Sequence, residues 1–342
     1  MQNVSDLTGD LIKVPSISPF GNTEKQRNER FKLCEEVIDY LADILEKTGA
    51  QTSKLTFEGG HDKWPYPVPN LYSEINIGNQ NAKNHKFICY MGHIDVVPVG
   101  DENLWSQNPF SGAKKDGFIH GRGATDMKGS VGAWITAVES LKNNLPIDTN
   151  LTIGTLITAD EEWAAVNGSN KVLNWMKVNG KKPDSFIVGE PSSKDYLGTH
   201  IKIGRRGSLI GYIEAKGVQG HRAYDDLFIN PNRALSYAMI ILNAKRWKDG
   251  NQNFPNTTFE SVAIQSGDFN ASAVIPETSK ALWGVRFTDK QTKEKILSDL
   301  NEILQNPPAY LKKHPDYKSA RDVLLSANFS TASEPYYSEP AS

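Results

Sequence analysis

Apolar residues at Phe31, Cys34, Val37, Ile38, Leu41, Ile44 and Leu45 recur in steps of three and four. That spacing puts them on one face of a helix, and it predicts a long amphipathic α-helix ending near Gly49. Further along, the pattern shortens. Residues 71–77 and 86–91 are rich in β-formers and predict strands, as do 151–158 and 185–188, while 131–145 and 171–178 carry helical spacing. Strands alternating with helices imply an α/β sheet. From Ser208 to about Asp316 the order changes to a strand, a helix over 233–248, strands over 257–264 and 281–287, and a helix over 292–304. This stretch reads as a compact α+β unit, and the polar, proline-containing tail from Thr331 to Ser342 is the only segment with a disorder-like composition.

Length and charge narrow the function classes. A chain of 342 residues exceeds one ordinary core, so two domains are expected. With 38 Lys+Arg against 40 Asp+Glu the net charge is −2, which offers no long-range field for nucleic acid or an anionic membrane, and a small-molecule partner is favoured. The two cysteines, Cys34 and Cys89, cannot build a disulfide framework or a cysteine metal site. Residues 1–20 lack the basic-then-apolar order of a signal peptide, and no later apolar run reaches membrane-spanning length, so a cytoplasmic protein is expected.

Four segments carry candidate chemistry. Met91-Gly92-His93-Ile94-Asp95 ends an apolar run with a histidine and an aspartate two apart, hence on one face of a strand. A metal-bound imidazole generally donates its second ring N–H to a carboxylate or carbonyl, and Asp95 is placed for that service; a strand-end histidine with satisfied hydrogen bonds is the other reading. Gly121-Arg122-Gly123-Ala124-Thr125-Asp126-Met127-Lys128-Gly129 is a glycine-rich turn around one acid. A carboxylate has two oxygens and can bridge two cations, although Asp126 could equally cap the following helix. Asp160-Glu161-Glu162 places three acids after an apolar strand, where they repel one another unless a cation or proton intervenes; an acidic helix start is the plain alternative. Gly189-Glu190-Pro191 sets a fourth carboxylate after a strand. Ligand sites of α/β proteins gather at strand ends, and histidine with carboxylates suits Zn²⁺, so the four segments together point to a metal centre.

These segments resemble the aminoacylase/carboxypeptidase family of dinuclear zinc hydrolases. Gly204-Arg205-Arg206-Gly207-Ser208-Leu209 and Gln219-Gly220-His221-Arg222-Ala223-Tyr224 resemble, within it, enzymes that remove a succinyl group from a diamino dicarboxylate. The likeness runs from residue 1 to the low 330s. It implies a zinc-exopeptidase-like α/β catalytic domain with a mixed sheet and an inserted α+β dimerisation domain: 1–206, then 207–318 inserted, then 319–342 as the start of a returning catalytic segment. It implies two Zn²⁺, with Co²⁺ as a substitute. One would be held by His93, Asp126 and Glu190, and the other by Asp126, Glu162 and a histidine near the C-terminus. Glu161 would be the general base, Asp95 the residue orienting the site, and a cis peptide would follow Asp126. His221 would reach the active site of the partner in a homodimer, and Arg205, Ser208, Tyr224 and Arg286 would contact the substrate.

Arginine forks suit such a substrate, an amide bearing several carboxylates, although adjacent Arg205 and Arg206 on a strand point to opposite faces. Two departures from the family pattern bear on the expectation. Ala273 stands before Val274-Ile275-Pro276 where relatives have asparagine, and the chain stops at Ser342 before the terminal histidine ligand, with His314 the only histidine after His221. The second metal site is therefore expected to be incomplete. The rival readings are another amidohydrolase of the family, an aminoacylase or dipeptidase, and a non-catalytic remnant.

Overall fold

A computed structural model describes residues 3–21, 23–59, 66–141, 144–146, 148–305 and 324–338. The chain divides into two compact units, Met1–Thr199 and His200–Ser342.

The first unit runs α1 (Val4–Lys13), α2 (Glu24–Lys47), β1 (Gln51–Phe57), β2 (Val68–Ile77), β3 (Lys86–His93), the hairpin β4 (Ala113–Lys115) and β5 (Phe118–His120), α3 (Gly129–Leu141), β6 (Leu151–Thr158), α4 (Ser169–Val178) and β7 (Ser185–Val188). The helix expected from Phe31 to Leu45 is longer at its start, because Thr23 caps it by accepting a hydrogen bond from the Gln26 amide and its first turns are polar. It stops where Gly49 takes a left-handed φ of 89°.

The five-stranded sheet has the order β1-β2-β6-β3-β7. β1 and β2 are antiparallel, as are β2 and β6, whereas β3 lies parallel to both β6 and β7. Alternate strand residues point to opposite faces, and both faces are covered. Leu71, Ile153 and Ile157 pack with Leu11, Leu41 and Ile135 of the first three helices, while Tyr72, Phe87, Cys89 and Leu156 meet Val172 and Met176 of α4. Each such aliphatic side chain contributes about 1.5–3 kcal/mol by leaving water.

Because β3, β6 and β7 are parallel neighbours, their C-terminal ends share one edge. The register pairs His93 with Thr158 and Met91 with Val188. The residues that follow each strand, Asp95, Asp160 to Glu162, and Glu190, are thereby delivered to the same place.

The second unit runs β8 (Gly204–Arg205), β9 (Gly207–Lys216), β10 (Gly220–His221), α5 (Pro231–Asn243), β11 (Thr258–Ser266), β12 (Val274–Ile275), β13 (Thr278–Phe287), α6 (Lys293–Gln305), β14 (Leu324–Ser333) and β15 (Tyr336–Tyr337). Its main sheet, β11-β13-β9-β14, is antiparallel throughout. Along β9, Leu209, Ile213 and Ala215 are buried in one cluster with Leu235 and Leu242 of α5 and Ile296 and Leu300 of α6, while Ile210, Tyr212 and Lys216 face outward. The helix expected over 233–248 ends at Asn243. Trp247 lies past its end, donating its ring N–H to Asp299 of α6.

The strand Leu324–Ser333 falls in the stretch expected to begin a returning catalytic segment. It instead pairs along its length with β9, as an edge of the second unit's sheet. His314 lies outside the described residues.

Candidate metal centre

The imidazole of His93 is 1% exposed, and its two nitrogens face different partners. Nδ1 lies 2.9 Å from the main-chain carbonyl of Asp95 and donates to it, so Nε2 is the nitrogen turned toward the site. The Asp95 carboxylate stands off at 3.5 Å. Around Nε2 are an oxygen of Asp126 at 3.0 Å, one of Glu190 at 3.6 Å and one of Glu161 at 3.9 Å.

The Asp95 carboxylate has another task. It accepts hydrogen bonds from the backbone amides of Glu161 (3.1 Å) and Glu162 (3.0 Å) and from the Ser18 hydroxyl (2.8 Å). Its charge thus holds the segment bearing both glutamates beside β3, with none of its own surface exposed. Asp160 ties down the far end of that loop by accepting from the amides of Ala165, Val166 and Asn167. Burial pushes the Asp160 carboxyl up while those amides pull it down, and burial prevails.

Asp126 sits on the turn between β5 and α3, reached through Gly123 at a left-handed φ of 82°. The Asp126–Met127 peptide is cis, in keeping with the family likeness. Lys128, wholly buried, secures the turn by donating from Nζ to the carbonyls of Leu11 (2.8 Å) and Val14 (2.9 Å) at the end of α1. Burial lowers its pKa to about 7. Glu190 reaches the cluster because Gly189 has no side chain: a β-carbon there would collide with the Tyr90 and Ser130 hydroxyls and come within 2.6 Å of the Met127 methyl.

The electrostatics call for a cation. Burial works against a charged His93, yet the hydrogen bond and charge of Asp95, with Glu161 and Glu190, outweigh it and raise the imidazole to about 10. Burial pushes Glu162 up to about 7, and its neighbours Asp126, Glu161 and Asp95 add to the rise while His93 opposes it. Negative charge so concentrated that it borrows protons suits a divalent ion. Single donor atoms of His93, Asp126 and Glu190 lie within 4.8 Å of one another, and this is the one three-ligand group among the described residues. One neutral imidazole with carboxylates is the donor chemistry of a catalytic Zn²⁺-type site.

The expected substrate residues lie in the second unit. Ser208 and Arg286 are cross-strand partners on β9 and β13, and Arg205 reaches the Ser333 hydroxyl at 3.4 Å, in the residue that pairs with Ser208 on the other side. Arg206 donates to the Asn256 carbonyl and the Thr258 hydroxyl, and the nearby Arg286 charge helps burial depress its pKa. None of the three arginines forms an ion pair among the described residues. His221 is exposed, its ring 5.6 Å from that of Tyr224, and its Nδ1 accepts the Ala223 amide, which leaves Nε2–H as a donor without a partner among the described residues. Reasoning from sequence missed Ser18, the loop-pinning task of Asp160, and the Tyr90–Ser130 hydroxyl pair; nothing in their spacing marks them, because each acts through a contact distant along the chain.

A mixed α/β sheet with a histidine–carboxylate cluster at the ends of its parallel strands defines a metallohydrolase. The chain belongs to the peptidase family M20/M25/M40, whose model matches residues 89–336. It is similar to the succinyl-diaminopimelate desuccinylase of Xanthobacter autotrophicus, 38% identical over 296 residues that cover 86% of this chain and 71% of the relative. It is also similar to that of Coxiella burnetii, 37% identical over 304 residues, 89% and 74% of the two chains. Among solved structures, human carnosine dipeptidase 1 matches with a TM-score of 0.69 at 16% identity over 98% of this chain and 79% of that one. An M20 metallo-carboxypeptidase from Sulfolobus solfataricus matches at 0.66 and 22% identity over 97% and 79%. At such identities these two show the fold alone. The chain is therefore an enzyme, a metal-dependent hydrolase, and no helix among its described residues is long and apolar enough to cross a membrane.

Proposed function

We propose that the chain hydrolyses the succinyl amide of N-succinyl-LL-2,6-diaminopimelate, giving succinate and LL-2,6-diaminopimelate for diaminopimelate and lysine biosynthesis in the cytoplasm. The observation that carries this reading is identity of 37–38% over most of the chain to desuccinylases, joined to a three-ligand cluster with a glutamate beside it. His93, Asp126 and Glu190 would hold one Zn²⁺, with Asp126 and Glu162 as ligands toward a second, and Co²⁺ could substitute. Bound there, the metal would supply Lewis acidity, polarising the amide carbonyl and lowering the pKa of water.

Glu161 acts as the general base: it takes the proton of the attacking water and returns it to the leaving nitrogen as the C–N bond breaks. Asp95 positions it by gripping its amide, as the hydrogen bonds above describe. On this reading 1–206 is catalytic, and the inserted stretch that begins at residue 207 supplies the dimerisation surface of a homodimer. His221, whose Nδ1 accepts the Ala223 amide, donates from Nε2–H to the oxyanion across the dimer. Arg205 and Arg286, with Ser208 and Tyr224, recognise the substrate's carboxylates, as expected for guanidinium groups without acidic partners among the described residues.

The experiment is a comparison of substrates on the metal-loaded enzyme. Hydrolysis of N-succinyl-LL-2,6-diaminopimelate with kcat/KM well above that for N-acetyl amino acids and dipeptides is expected. Preferential hydrolysis of either competitor would replace the substrate assignment with an aminoacylase or dipeptidase.

A further inference from the structure

Two loops of the first unit converge on Asp95. The first follows α1: Ile17 bridges Val96 in parallel, the Ser16 hydroxyl donates to the Ile94 carbonyl at 2.6 Å, and the Ser18 hydroxyl donates to Asp95. The second is the loop after β6, whose Glu161 and Glu162 amides donate to the same carboxylate. Just past these anchors the loops meet again. Phe20 and Trp163 stack with ring centroids 4.0 Å apart and planes 13° from parallel.

Trp163 belongs to none of the hydrophobic cores and is 52% exposed, so core packing does not account for it. It directly follows Glu162, and the next anchor is the trio of amides gripped by Asp160, beginning at Ala165. Phe20 is itself held, since Arg30 donates to its carbonyl and Arg27 donates to that of Gly21 at 3.0 Å. The glutamate pair is thus fixed through its amides by Asp95 and, one residue on, by an aromatic contact to a braced loop.

We propose that the Phe20–Trp163 stack is a positioning clasp for Glu161 and Glu162. It touches no reacting atom; it fixes the direction in which the segment presents the two carboxylates. The proposal rests on Glu161 as base for its kinetic consequence, but the clasp itself can be read without turnover.

The variants are Trp163→Ala and Phe20→Ala, each with a conservative counterpart, Trp163→Phe and Phe20→Tyr. Hydrogen–deuterium exchange followed by mass spectrometry should show the peptide spanning 159–167 exchanging at least about tenfold faster in each alanine variant, with strands elsewhere unchanged. Kinetically, Trp163→Ala should lower kcat by about 10–100-fold with little change in KM, since small displacements of a reacting group carry that cost. Trp163→Phe should restore most of it. The double alanine variant should be no worse than the worse single one, as expected when two residues share one contact.

Unchanged exchange in 159–167 would overturn the clasp. So would faster exchange throughout the unit, which would mark a general packing role, and so would a raised KM at constant kcat, which would make Trp163 a substrate wall. If Glu161→Gln proves fully active while the exchange result holds, the assignment of the base fails and the clasp stands.

Discussion

Asp249 in the second unit and the carboxylates of the metal centre are both acids at the edges of packed sheets, yet their environments differ in one respect. Asp249 accepts hydrogen bonds from the Thr257 amide and hydroxyl, the Thr288 hydroxyl and the Gln291 side-chain amide. Burial alone would raise its pKa, but these donors outweigh it and hold the carboxyl below its ordinary value. Glu162 goes the other way, pushed up to about 7 by burial and by the acids around it. A carboxylate whose lone pairs are taken by protein donors is a structural tie, whereas one left facing other carboxylates is available to a cation. Burial, which affects both, does not separate them; the donors do.

The sharpest way to break that contrast is at Glu161. Glu161→Gln keeps the shape but cannot accept a proton, so kcat should fall by about 10²–10⁴-fold or more while metal content stays near normal. Near-normal kcat in a metal-replete variant would remove Glu161 from the role of base. The next test is geometric. Gly189→Ala sets a β-carbon against the Tyr90 and Ser130 hydroxyls and so displaces Glu190. Chelator competition should show metal affinity weakened by at least the roughly 10–100-fold known for residues that support ligands, and unchanged affinity would mean Glu190 is not a ligand.

On the structural side, Asp249→Ala strands several buried donors and should cost about 2–4 kcal/mol in urea unfolding of the second unit, without altering tight metal binding. The pH dependence has a definite sign. A carboxyl whose folded pKa lies below its unfolded value of about 3.9 contributes stability in full above that value and loses it as pH falls through the folded pKa. Asp249→Asn should therefore flatten the acid limb of the stability profile below about pH 4. A limb that stays as steep as in the parent chain would show that Asp249 is not its source. The smallest effect is expected at an exposed pair, Lys54 and Asp39, 2.8 Å apart with side chains 58% and 50% exposed. Lys54→Ala should shift stability by less than about 1 kcal/mol, because solvent screens such pairs. A larger loss would mean that exposure is a poor guide to the energetics of this surface.

The sequence by itself determined the alternation of strands and helices and the change to an α+β unit after Ser208, because period-2 and period-3.6 patterns are local properties of the chain. It also singled out the candidates for chemistry, since His93, Asp126, the Asp160-Glu161-Glu162 run and Glu190 each stand at the end of an apolar element or on a glycine turn. Helix ends were less legible. The polar start of α2 depends on a cap at Thr23, and the early end of α5 coincides with a contact from Trp247 to Asp299 on another helix. Only the tertiary structure decided that β3, β6 and β7 lie side by side and parallel, which brings residues up to about a hundred positions apart around one imidazole. It alone gave the Asp95 carboxylate to the glutamate amides as well as to the neighbourhood of His93, and placed Leu324–Ser333 beside β9. Strand order, register and shared hydrogen bonds are relations between distant segments, and a pattern read along the chain carries no term for them.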